Sequence, residues 1–127
     1  MITLQNYWMG RDVKYKSELT PEFITNATNL LQKVNKLLWL AGRKEVTVNS
    51  GWRPPSVNKA VGGSLTSKHM ICRAVDLNDD DGSLDAWCMA NLDKLEECGL
   101  WLEHPSATPR WCHLDDWPRK NRVFQPK

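Results

Sequence analysis

Between Phe23 and Ala41 the apolar residues fall at Phe23, Ile24, Ala27, Leu30, Leu31, Val34, Leu37, Leu38 and Ala41. Steps of three and four place them on one face of a helix. Thr20-Pro21-Glu22 supplies its start: a hydroxyl cap, a proline whose missing N–H costs nothing there, and an acid near the positive end of the dipole. Gly42 supplies its stop. The pattern then changes period. Glu45 to Ser50 alternates and is β-branched, which predicts a strand, and Pro54-Pro55 cannot continue its ladder. Val57 to Thr66, with Gly62-Gly63, reads as a loop. Arg73 to Leu77 reads as a second strand and Asn78 to Gly82 as a turn. Ser83 is the expected cap of a second helix carrying Leu84, Trp87, Cys88, Leu92 and Leu95 and ending at Gly99. Leu100 to Glu103 and Trp111 to Leu114 read as two last strands joined by a proline-containing loop.

This order predicts an α+β fold: a small, mainly antiparallel sheet, a long N-terminal helix and a second helix packed on it. No repeat or linker interrupts residues 1–127, so one domain is expected over the whole chain, long enough to build its own core.

Composition narrows the function. The net charge is +2 with Lys and Arg scattered, which speaks against a nucleic-acid partner. The basic stretch Pro118 to Arg122 is short and reads as a solvated C-terminus. No run is long and apolar enough to enter a membrane. Met1 to Asn6 does not look like a signal peptide, so a cytoplasmic origin with reduced, buried thiols is expected for Cys72, Cys88, Cys98 and Cys112. No Cys-x-x-Cys pair suggests a zinc knuckle. Of the seven tryptophans, Trp52, Trp101 and Trp111 flank the polar residues below and are candidates to wall a substrate groove. Trp39 and Trp87 read as packing residues.

The candidate chemistry sits in Ser67-Lys68-His69, Ala74-Val75-Asp76 and Trp111-Cys112-His113-Leu114-Asp115. Two imidazoles and one carboxylate are a common ligand set for a catalytic zinc that keeps a position open for water. Strand alternation puts Ala74 and Asp76 on one face, and Trp111, His113 and Asp115 on one face of the last strand. If the strands are neighbours, Asp76 and His113 converge, His69 reaches them from the loop, and Ala74 leaves room beside the metal. A carboxylate that is not a ligand must act as general base. Glu103 is the candidate, with Asp115 and Asp116 as alternatives. Arg53, on a loop stiffened by two prolines, suits a substrate carboxylate, and Ser67 suits substrate or the orientation of His69. The acidic turn Asp76 to Gly82 does not fit a calcium loop, because glycine is not at the sixth position and no glutamate closes it.

These residues resemble the zinc D-Ala-D-Ala carboxypeptidases and L-alanyl-D-glutamate endopeptidases that cut bacterial cell-wall peptides. The family pattern Ser-x-His-x-x-Gly-x-Ala-x-Asp stands here as Ser67 to Asp76, followed by His113. Ser50-Gly51-Trp52-Arg53 is similar to the family's substrate-carboxylate segment, and Tyr7 to Asp12 with Glu18-Leu19-Thr20 looks like the start of small phage-encoded, endolysin-like members. Two departures stand out. Cys72 replaces the motif glycine, and Arg110 and Trp111 occupy positions where members carry the catalytic acid or a histidine. Trp101-Leu102-Glu103-His104 is similar to an acidic segment of phage members.

The resemblance implies a zinc peptidase of peptidoglycan stem peptides used in phage lysis or at infection. His69, Asp76 and His113 would bind zinc, Glu103 would be the base, and Arg53 and Ser67 would hold substrate. A monomer is expected, and an endolysin lacking a signal peptide would need a holin to pass from the host cytoplasm to the wall. The alternative is a catalytically silent zinc-binding virion or interaction module.

Overall fold

The computed structural model describes residues 1–126. It is an α+β fold of six helices and one five-stranded sheet. The helices are α1 (Leu4–Trp8), α2 (Arg11–Lys14), α3 (Pro21–Leu40), α4 (Pro55–Ala60), α5 (Ser83–Ala90) and α6 (Leu92–Cys98). The strands are β1 (Val48–Ser50), β2 (Ala74–Asn78), β3 (Trp101–Glu103), β4 (Trp111–Asp115) and β5 (Val123–Phe124), in the order β1-β2-β4-β3-β5. All neighbours are antiparallel except β3 and β5.

The long helix forms where the periodicity puts it. Thr20 Oγ1 accepts from Phe23 N at 3.2 Å, meeting one of the otherwise unpaired first-turn donors. At the other end Gly42 adopts φ 68°, while Gly42 N donates to Trp39 O and Arg43 N to Leu38 O. That pair of bonds is the Schellman closure, for which a left-handed glycine is best suited. Ala27, Leu30, Leu31, Val34, Leu37 and Leu38 are buried, and the helix packs on α6. Ile24 and Trp39 fall outside this stripe. Trp39 is 76% exposed, so it does not pack in the core as expected.

One face of the sheet carries Val75, Leu77, Leu102, Cys112 and Leu114, all fully buried against the helices. The opposite face, one residue out of phase, is left for polar side chains. Asp116 ties the layers together beneath it. Its Oδ1 accepts from Arg73 Nε at 2.7 Å and its Oδ2 from Lys33 Nζ of α3 at 3.1 Å.

Several expected elements change. The first strand is shorter than expected, with a register irregularity between Val48 and Ser50. Residues 57–60 of the expected loop are helical, as the end of α4. The second helix is two. Asn91 Nδ2 donates to Trp87 O at 2.8 Å, and Asn91 itself takes non-helical angles of φ −133° and ψ 49°. A side-chain amide thus takes a main-chain acceptor and the helix breaks. Ser83 is not the cap of α5. Asp79, fully inside the fold, accepts from Leu84 N and Asp85 N at 2.9 and 2.8 Å. The acidic turn is therefore a helix-capping device. The basic tail is not a free solvated terminus either, because it leads into β5, which pairs with β3. All four cysteines are free and buried. Among the described residues no helix is long and apolar enough to cross a membrane.

Candidate active site

The register of the sheet assembles the site. Asp76 on β2 lies opposite His113 on β4, and Ala74 opposite Asp115. On the far side of β4, Trp101 pairs with Asp115 and Leu102 with Leu114. One step further along β3 brings Glu103 beside His113, and Phe124 of β5 pairs with Glu103. Asp76, His113 and Glu103 thus stand in one row across three strands, on the face away from the core.

His69 enters from the 3-10 turn Lys68–Ile71, which Ser67 Oγ caps by accepting from His69 N. The ring is almost wholly buried, and its Nδ1 donates to Gly51 O at 2.8 Å. A carbonyl only accepts, so the proton sits on Nδ1 and the lone pair on Nε2. That Nε2 lies 3.2 Å from Asp76 Oδ2 and has no hydrogen-bond partner. Burial lowers the pKa of His69, against the pull of Asp76. Gly51 has to be glycine: a Cβ there would stand 2.1 Å from the carbonyl oxygen of Tyr7. Tyr7 in turn donates its hydroxyl to Ala74 O at 2.8 Å, so α1 fixes the loop and β2 together.

His113 is held at both nitrogens. Nδ1 is 2.7 Å from Asp76 Oδ1 and Nε2 is 2.9 Å from Asp115 Oδ2. Burial alone would lower its pKa, yet the bonds to Asp115 and Asp76 outweigh burial and raise it to about 10. Asp76 is pushed the other way: burial raises its pKa, and the two histidines overcome that and lower it. Asp115 is fully buried and also pairs with Arg119.

These side chains floor a groove of about 710 Å³ whose walls include Trp111, Trp117 and Phe124. Glu103 faces into it, and its carboxylate has no hydrogen bond or ion pair among the described residues. Burial raises its pKa above the ordinary glutamate range. Arg53 and Ser67 line the same groove, and Arg53 Nη2 donates to Ser67 Oγ at 3.2 Å. Arg53 Nε is buried without a partner. The structure therefore brings all six residues singled out in the sequence into one groove.

Other expectations change. Trp52 is fully buried in the core and walls nothing, and Trp101 stands outside the groove under the Arg122 guanidinium. Their place is taken by Trp117, over which Lys68 Nζ sits at 3.8 Å, and by Phe124. Asp115 and Asp116 are engaged by His113, Arg119, Arg73 and Lys33, so neither is a free base. His104 caps the turn Pro105–Ala107. Cys72 adopts φ 61°, the left-handed region that glycine enters freely, which accounts for glycine in the motif. It is buried, and burial raises its pKa to about 12, so it is a neutral packing thiol.

His69, Asp76 and His113 each offer one ligand atom, all within 4.8 Å of one another. A buried imidazole nitrogen with no partner, aimed at a carboxylate, fits a divalent cation. These three donors, with an unpaired half-buried carboxylate in the same groove, could hold a metal ion beside a candidate base. A model of the Peptidase M15 family matches residues 9–115, and the chain belongs to that family. Its members are zinc-dependent metallopeptidases. No curated protein matches the chain.

Proposed function

We propose that this chain is a zinc peptidase that hydrolyses amide bonds in peptidoglycan stem peptides, as one catalytic domain acting as a monomer. The observation that carries the reading is the row of Asp76, His113 and Glu103, with His69 closing on it from the adjoining turn. His69 through Nε2, Asp76, and His113 through Nδ1 are the ligands. A zinc ion held there would supply Lewis acidity toward the scissile carbonyl and lower the pKa of a water toward neutrality. Glu103 takes the proton of the attacking water and delivers it to the departing amine, so one carboxyl group serves both halves of the hydrolysis. Its raised pKa suits a group that must gain a proton as readily as it loses one. Arg53 anchors a substrate carboxylate by paired charge-assisted hydrogen bonds, and Ser67 holds the guanidinium in place. Trp111 and Trp117 offer flat apolar walls to the peptide. The resemblance of the N-terminal segment and of Trp101 to His104 to small phage-encoded enzymes supports a lytic role.

Digestion of purified peptidoglycan by the purified protein, read by mass spectrometry, tests this. Loss of a terminal D-Ala identifies a carboxypeptidase, and new L-Ala ends an endopeptidase. Intact stem peptides after prolonged digestion with the zinc-loaded protein would overturn the substrate assignment and favour the silent zinc module.

A further inference from the structure

The family match ends at Asp115, yet the chain beyond it reaches back into the site. Asp115 is fully buried, and a buried carboxylate needs its charge and lone pairs met. Oδ2 accepts from His113 Nε2 at 2.9 Å, while Oδ1 accepts from Arg119 Nη1 and, at 3.3 Å, from Trp117 N. The Arg119 guanidinium lies 3.5 Å over the Phe124 ring, and that ring meets His113 edge-on with centroids 5.9 Å apart. Trp101 Nε1 donates to Arg119 O at 3.1 Å and fixes its backbone. The contacts close a circuit from His113 through Asp115, Arg119 and Phe124 back to His113.

We infer that the segment Trp117–Phe124 is a working part of the metal centre, in which Arg119 is a positioning residue that holds Asp115 against His113 and so directs His113 Nδ1 at the ligand position. This rests on the metal reading given above. The physical argument is one of donors and acceptors. In the metal-free chain carboxylates face both nitrogens, Asp76 at Nδ1 and Asp115 at Nε2; a metal taken up at Nδ1 would displace the proton there, and Asp115, which only accepts, would keep the other on Nε2. The carboxylate can remain at that point only while something neutralises it in a buried place. Arg119 does this with a cation clamped between the carboxylate, the Trp117 carbonyl at 3.2 Å and an aromatic face. Without the clamp Asp115 turns toward water and the ring is free to rotate.

The test is zinc affinity of the full chain, measured by competition with a chromophoric chelator, beside the melting temperature of the metal-free protein as a check of folding. Arg119→Gln is expected to bind zinc about tenfold or more weakly, the usual cost of losing a residue that orients a ligand. Arg119→Lys, which keeps a cation, should recover most of that loss. Arg122→Gln is the control. It comes from the same segment, where it donates to Leu100 O at 2.9 Å and stacks on Trp101, but it does not touch Asp115. It should bind zinc as the wild type does. Wild-type affinity in a folded Arg119→Gln, or an equal loss in Arg122→Gln, would overturn the inference while leaving the metal reading intact. A wild-type chain that takes no zinc would sink both. Should Arg119→Gln fail to fold, nitrogen-15 NMR of the zinc-loaded wild type decides. A His113 Nε2 proton protected from exchange is expected, and a freely exchanging one contradicts the clamp.

Discussion

In the proposed reading Glu103 and Arg53 divide the work of the groove, and their substitution should separate in kinetics. Glu103→Gln keeps shape and removes the base, so kcat should fall by about 10²–10⁴-fold, the range for a lost general base, with zinc content unchanged. Undiminished turnover would remove Glu103 from the mechanism. Arg53→Lys keeps charge but loses the fork, so KM should rise by about ten- to a hundredfold, corresponding to a charge-assisted bond of roughly 1.5–3 kcal/mol, with kcat less affected. An unchanged KM would mean that substrate is held elsewhere. At this scale the sequence was informative where residue type and spacing meet in one motif, as with His69, Asp76 and His113. It offered Asp115 only as an alternative base and did not single out Arg119, because a carboxylate two residues from a histidine looks the same whether it is a base or a brace. Only the bond from His113 Nε2 and the approach of Arg119 decide that role. Trp52 and Trp101 were misjudged for a similar reason: proximity in sequence does not say which side of a loop or strand a ring takes.

Among the elements, α3 was legible from end to end, since its period, cap and stop agree. The faces of β2 and β4 were legible too, because alternation fixes them. β5 was not, since two residues pairing in parallel with a strand about twenty positions away leave no local pattern. The break at Asn91 was hidden because the apolar spacing runs through it, and the competing side-chain bond is visible only in three dimensions. The loop at Gly51 yields the sharpest prediction here. Gly51→Ala forces a Cβ onto the Tyr7 carbonyl and should cost about 1–3 kcal/mol or more, as overpacking does. It should also pull the Gly51 carbonyl from His69 Nδ1 and weaken zinc binding. A variant that melts as the wild type and keeps its zinc would show that this loop has slack that the close contact denies.

For the whole molecule, the buried charges set the response to pH. Burial raises the pKa of Asp85, which accepts from Thr108 Oγ1 at 3.0 Å through Oδ2 while Oδ1 has no partner. The folded chain therefore holds this proton more tightly than the unfolded chain. Below the unfolded pKa the group is neutral in both states and costs nothing. As pH rises through the folded pKa its ionisation penalises the fold. Asp85→Asn keeps the acceptor for Thr108, so its melting temperature should gain on the wild type as pH climbs from the acid side toward neutrality. A difference that is constant over that range would contradict the assignment.

The sheet that buries Val75, Leu77 and Leu114 on one face presents Asp76, His113 and Glu103 on the other. Fold and site are thus products of one register. Zinc held by residues from β2, β4 and the preceding turn should bind the native state alone and raise its melting temperature. The most direct test of the account is metal content and wall hydrolysis of the purified protein before chelation, after it, and after zinc is returned. About one zinc per chain is predicted, with activity lost on removal and restored on return. A protein that carries no zinc and hydrolyses walls equally well in chelator would contradict it.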